Sequence, residues 1–230
     1  MMVRVRIAVT LLSAAVLGAC DNNPSTGLAG TTTATVRLVN ATGASLDVAL
    51  NGSVAANNAN LGYGTSSSCL GVDAAGANLA VRAAGTTTPL TGFAPLFTAG
   101  VKYVVVAYLD AAGATQFATL SSNAFTPSTG QGGLRVFDAA TGTFNFDVYL
   151  GAPGAAFGTA SATNLFFGSS TSFFNVGAGT VQVRLTNASS QTVAHDAGSL
   201  TFTAGQNYVL VVAPAATGST ALRSFVVTAC

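Results

Sequence analysis

The chain has 230 residues, half of them hydrophobic and only 7% charged, with a formal net charge of +1. So few charges exclude binding nucleic acid through a basic face, because displacing phosphate counterions needs clustered Lys and Arg. The hydrophobic content excludes intrinsic disorder. Every acidic residue is Asp, and Lys102 is the single Lys. Few helix formers beside abundant Gly, Thr and Val point to strands and turns, in one large domain or two of ordinary size.

Residues 1–20 read MMVRVRIAVTLLSAAVLGAC. Arg4 and Arg6 give a positive start, and Ile7 to Leu17 form an apolar run too short to span a bilayer. Leu17, Gly18, Ala19 and Cys20 then resemble the lipobox of bacterial lipoproteins. The resemblance implies a signal peptide over 1–19 and a Cys20 that becomes the first mature residue and carries acyl chains. Several chains anchor stably, at about 0.8 kcal/mol per buried CH₂. The alternative is an ordinary secretory signal with a chance Cys. Asp21 resembles the inner-membrane retention signal of enteric bacteria, a rule that does not hold across bacteria, so inner and outer membrane both stay open. Residues 20–32, polar and rich in turn formers, read as a flexible tether.

The body repeats itself. VRLVNATGASLDVALNG (36–52) returns as LRVFDAATGTFNFDVYLGA (134–152). LGYGTSSSCLGV (61–72) matches FFGSSTSFFNV (166–176) loosely, and ANLAVRAAG (77–85) matches GTVQVRLTN (179–187). FTAGVKY (97–103) returns as FTAGQNY (202–208), each followed by an apolar strand. This divides the body into a first repeat over 33–121, a linker over 122–132 and a second repeat over 133–230. Expected strands fall near 33–40, 45–51, 61–68, 78–84, 90–97, 101–109 and 114–121. In the second repeat they fall near 133–138, 143–150, 165–174, 180–187, 192–202, 207–213 and 220–228. This spacing gives tandem antiparallel β-sandwiches. Alternation puts Phe144, Phe146, Val148 and Leu150 on one face of their strand, with Asn145, Asp147 and Tyr149 on the other. VKYVVVAYL (101–109) is apolar on both phases, the mark of a central strand.

The order of segments resembles a family of tandem domains of bacterial surface proteins and lipoproteins, domain of unknown function 4397. The matching residues are the opening run from Arg37 to Ala41 and from Arg135 to Ala139, and the D-V-x-L strand from Asp47 to Leu50 and from Asp147 to Leu150. The Ala-Gly-x-x-Tyr turn with its apolar strand completes the match. The resemblance implies an immunoglobulin-like or transthyretin-like sandwich and no known activity. Where the family often has a His after the first strand, this chain has Asn40 and Asp138, so no role for that His carries over.

Arg37 with Asp47, and Arg135 with Asp147, are expected to pair across adjacent strands, at about 0–1 kcal/mol for a surface pair. A ligand contact repeated in each domain is the alternative. Gly100 with Tyr103, and Gly205 with Tyr208, resemble the tyrosine corner of Greek-key sandwiches, in which the hydroxyl bonds upstream main chain. Cys69 and Cys230 are either a disulfide tying the first repeat to the last residue of the second or two isolated thiols.

His195 is the only His. Beside Asp196 on an expected turn it reads as solvent-facing rather than as part of a triad. Zinc spacing, a calcium loop, a P-loop, a G-x-S-x-G elbow and a paired-carboxylate signature are all absent from the sequence. No cofactor, metal or catalytic residue is therefore assigned. The expectation is a non-enzymatic envelope binding, adhesion or structural module. It is held at a membrane by its lipid anchor, and loops at the sandwich ends, such as 52–61 and 151–164, make the contacts. An accessory protein for envelope or polysaccharide export, holding a protein or polysaccharide partner, is the second reading, and a hydrolase the third.

Overall fold

The computed structural model describes residues 32–230 except Ala124 and Thr217. The expected signal peptide, Cys20 and all of the tether but Thr32 lie outside the described residues. In the first half run β1 (Thr33–Ala41), β2 (Leu46–Leu50), β3 (Ser53–Val54), β4 (Leu70–Asp73), β5 (Leu79–Ala83), β6 (Lys102–Leu109) and β7 (Thr115–Ser121). The second half holds β8 (Gln131–Asp138), β9 (Phe146–Gly151), β10 (Ala162–Leu165), β11 (Phe174–Gly177), β12 (Gly179–Asn187), β13 (Val193–Phe202), β14 (Asn207–Pro214) and β15 (Leu222–Thr228). Among the described residues the only helix is one 3₁₀ turn, Ala56–Asn58.

Each half is a two-sheet sandwich, as expected. In the first, sheet β4-β1-β6-β7 faces β3-β2-β5; in the second, β11-β8-β14-β15 faces β10-β9-β12-β13. One pairing in each half departs from the antiparallel pattern: β1 lies parallel to β6, and β8 parallel to β14. The chain leaves β1, builds the facing sheet and returns beside its own start, so the two strands enter from the same end.

Alternation explains the packing. From β6, Tyr103, Val105 and Ala107 enter the core of the first sandwich. The opposite phase, Val104 and Val106, enters a different core with Val39, Phe137, Val209, Val211 and Val227. β14 does the same from the other side, sending Tyr208, Leu210 and Val212 into the second sandwich. The sheets carrying β6 and β14 therefore pack back to back, and strands covered on both faces read as unbroken apolar runs. The described residues stack four sheets deep, with a hydrophobic core between each adjacent pair.

Three expected strands fail for physical reasons. Segment 61–68 bonds Leu61 to Leu46 of one sheet, then passes Thr65 and Ser67 to Asn40 and Leu38 of the other. It is a strap between sheets and cannot lie in one ladder. Segment 165–174 divides in the same way, into the end of β10, a strap and the start of β11. Segment 90–97 carries Pro95, which has no N–H for a ladder, whereas its proline-free counterpart forms the ten-residue β13 and takes Gly198, at φ 75°, where its register with β12 shifts. Phe144, expected on the same face as Phe146, is 75% exposed because β9 starts only at Phe146. Asp147 and Tyr149, expected on the polar face, are buried under loops.

Candidate functional site

The expected Arg–Asp pairs do not form, because β1 and β2 (and likewise β8 and β9) belong to different sheets. Arg37 instead reaches into the other repeat: its Nη1 donates to the Thr228 carbonyl at 2.6 Å, and Nη2 to Cys69 Sγ at 3.2 Å. Arg135 mirrors it, donating from Nη1 to the Ser121 carbonyl at 3.2 Å and from Nε to Thr171 O at 2.9 Å. Ser121 and Thr228 are the last residues of β7 and β15. Each arginine thus caps the final strand of the opposite repeat. The aspartates fasten loops. Asp47 accepts from the Asn60 and Gly85 amides at 2.7 and 2.8 Å, and Asp147 from those of Asn164 and Ser189 at 2.8 and 2.9 Å. The two amides hold the Asp47 carboxyl below its ordinary range.

The tyrosine hydroxyls accept from upstream amides, Tyr103 from Thr98 at 2.9 Å and Tyr208 from Thr203 at 3.0 Å. Gly100 and Gly205 take the turns at φ 76° and 77°. Phe97 packs on Tyr103 and Phe202 on Tyr208, with ring centroids 5.0 and 5.1 Å apart. Cys69 and Cys230 are joined by a disulfide, Cα atoms 5.9 Å apart, which ties the first sandwich to the end of the second.

His195 lies within β13, not on a turn, and is half-buried. Its Nε2 is 2.9 Å from Ser224 Oγ of β15, a bridge between the facing sheets. Burial holds its pKa below the ordinary value. Asp196 faces elsewhere, accepting from Gln182 Nε2 at 2.7 Å and from the Gly198 amide at 2.8 Å. It does not orient the imidazole, so the contact is a structural clasp.

The two straps also cross the repeat boundary. Tyr63 stands edge-on to Phe225, centroids 5.5 Å apart, and its hydroxyl donates to Pro214 O. Phe167, at the matching position, stands edge-on to Tyr108 at 5.7 Å. Where β1 and β8 end, the two repeats leave a cleft of about 760 Å³. It is lined in matching pairs: Ala41 with Ala139, and the β6–β7 hairpin with the β14–β15 hairpin, beside Tyr63. Its carboxylate, Asp110, is already engaged by the Ala112 and Ala114 amides and by Gln116 Nε2, each at 2.9 Å, which hold it below its ordinary pKa. The cleft offers methyl groups, main chain and an aromatic ring. A smaller, polar cleft of about 340 Å³ lies at the opposite end, where Lys102 Nζ donates to Cys230 O at 2.9 Å. Among the described residues no three His, Cys, Asp or Glu side chains group as a metal site.

The repeat interface, with its reciprocal arginines and straps, was not read from the sequence. Its signal was present in two apolar runs hydrophobic on both phases, each needing a second covered face. The fold and interface define a tandem-repeat β-sandwich protein whose repeats form one body. The chain belongs to the family described as domain of unknown function (DUF4397), whose model matches residues 34–149 and again 132–229. No curated protein matches it.

Proposed function

We propose that this chain is a non-enzymatic binding or structural module of a bacterial cell envelope, tethered to a membrane through an acylated Cys20. The observation that carries the reading is the Cys69–Cys230 disulfide. Such a bond persists where thiols are kept oxidised, outside the cytoplasm, which is where an export sequence ending in LGAC sends a chain. Two sandwiches locked back to back make a stiff scaffold, and loops at strand ends are where such scaffolds carry contacts. The apolar cleft at the repeat junction suits that role.

Fractionation of cells making the full chain tests the anchor. Wild type is expected with the membranes and Cys20→Ser in the soluble exported fraction; wild type in the soluble fraction overturns the anchor. The purified chain is expected to leave a generic ester intact. Hydrolysis abolished by His195→Ala overturns the non-enzymatic part.

One feature favours the second reading, an accessory protein for envelope or polysaccharide export. β13 is a ten-residue edge strand, and an open edge accepts a partner's strand. An envelope protein retained in pull-down, and lost when lysine replaces Val193 on that edge, favours this reading over the first.

A further inference from the structure

Phe144 is 75% exposed and Phe166 56% exposed. Phe144 lies two residues before Phe146 on β9, and Phe166 one residue after Leu165 on β10. Phe146 and Leu165 are register partners, so both aromatics sit at the same end of the outer sheet of the second sandwich. The first repeat provides an internal control. Leu61 bridges to Leu46 there as Leu165 pairs with Phe146 here. Counting from these pairs, Ala44 stands for Phe144 and Gly62 for Phe166. The same scaffold folds with a methyl group and a hydrogen at these positions, so folding does not call for the rings. Two exposed aromatics at one end of a sheet, unneeded by the fold, are what a contact surface rimmed by polar groups would supply.

Their surroundings are polar and uncharged. A recess of about 600 Å³ beside Phe144 is lined by Thr143, Asn145, Asn187, Ala188 and Ser190. Asn145 Nδ2 donates to Asn164 Oδ1 at 2.8 Å, which uses one donor and one acceptor of that side-chain pair and leaves Asn145 Oδ1 and Asn164 Nδ2 to face a ligand. Hydroxyl groups donate and accept at once, and amides answer both roles. The C–H face of a sugar ring is apolar and flat enough to lie on a phenyl ring. An anionic lipid surface calls for Lys or Arg, and none lines the recess.

We infer that Phe144 and Phe166, with Asn145, Asn164 and Asn187, form a binding platform for a neutral polysaccharide. The inference rests on the binding reading above and is independent of the anchor. The test is affinity electrophoresis of the full chain carrying Cys20→Ser through gels containing dextran, starch, glucomannan or, as the anionic comparator, alginate. Phosphatidylcholine vesicles serve as a separate arm. Retardation by at least one neutral polysaccharide is expected. The double variant Phe144→Ala with Phe166→Gly restores the residues of the first repeat, so it should fold, and it should weaken retardation about tenfold or more. Asn187→Ala should weaken it less. Leu96→Ala, which removes an exposed side chain of the first sandwich, should leave it unchanged. Retardation by none of the neutral gels, equal retardation of the double variant, or binding to vesicles alone overturns the inference. If fractionation succeeds while every gel fails, the polysaccharide falls and the anchored module stands.

Discussion

Asp138→Asn should make the protein more stable at alkaline pH. Asp138 ends β8 with no solvent exposure; Oδ1 accepts from the Ala140 amide at 2.8 Å, and the buried Oδ2 has no hydrogen-bond partner. Its counterpart at the end of β1, Asn40, is equally buried but satisfied. Asn40 Oδ1 accepts from the Thr42 amide and hydroxyl at 2.9 and 2.7 Å, and Nδ2 donates to Ala44 O and Leu61 O at 2.7 and 2.8 Å. Burial of Asp138 raises its pKa from 3.8 to about 7, against the pull of the Ala140 amide. That interval of about 3 pH units, at about 1.4 kcal/mol each, is worth about 4 kcal/mol. The folded state holds the proton more tightly than the unfolded state. Stability therefore falls as pH rises from about 4 to about 7, and levels off above. Asparagine removes the charge and restores a donor. Urea unfolding of both proteins, disulfide intact, from about pH 4 to about pH 8 reads the difference. Near pH 4 the two should be similar; near pH 8 the variant should be more stable by up to about 4 kcal/mol. Asp47, held low, and His195, held low by burial, each remove stability as pH falls, equally in both proteins. A difference that does not change with pH refutes the reasoning.

Tyr103→Phe and Tyr208→Phe should each cost about 1 kcal/mol in urea unfolding, since each leaves a turn amide, Thr98 or Thr203, without its acceptor; an unchanged midpoint removes the corner from the account. Arg37→Ala and Arg135→Ala should each cost about 1.5–3 kcal/mol, the range for bonds to charged donors, and the Arg37→Ala/Arg135→Ala double variant should be additive because the arginines share no partner. Reduction of Cys69–Cys230 should lower stability by up to about 5 kcal/mol on the chain-entropy estimate for a long loop, read as a lower urea midpoint with the fold retained. An unchanged midpoint contradicts the claim that this bond constrains the chain.

What was legible in the sequence is what the chain writes locally. β6 and β14 announce themselves by apolar runs, the corners by Phe-Thr-Ala-Gly-x-x-Tyr, and the two sandwiches by the order of their segments. Much of the rest depends on partners remote in sequence. Arg37 bonds a carbonyl 191 residues away, and a carbonyl leaves no mark in composition or spacing. Alternation said that Val104 and Val106 need cover, but not that the second repeat supplies it. The straps carry Gly, Ser and Thr beside Tyr63 and Phe167, a pattern as compatible with a strand as with a crossing between sheets. Gly133 shows the same limit: a Cβ there would lie 2.2 Å from Asn207 Oδ1 and 2.8 Å from the Phe125 ring, an approach visible only once β8, β14 and the linker are assembled. Phe144 was misread for a related reason. Alternation assigns a face and says nothing of where a strand begins.

The intact mass of the chain, extracted from cell envelopes without reductant, bears most directly on the claim of an exported, lipid-anchored, cross-linked scaffold. The account expects the mass of residues 20–230 with acyl chains added and two hydrogens lost to the Cys69–Cys230 bond. An uncleaved or unacylated chain, or one with both thiols free, contradicts it.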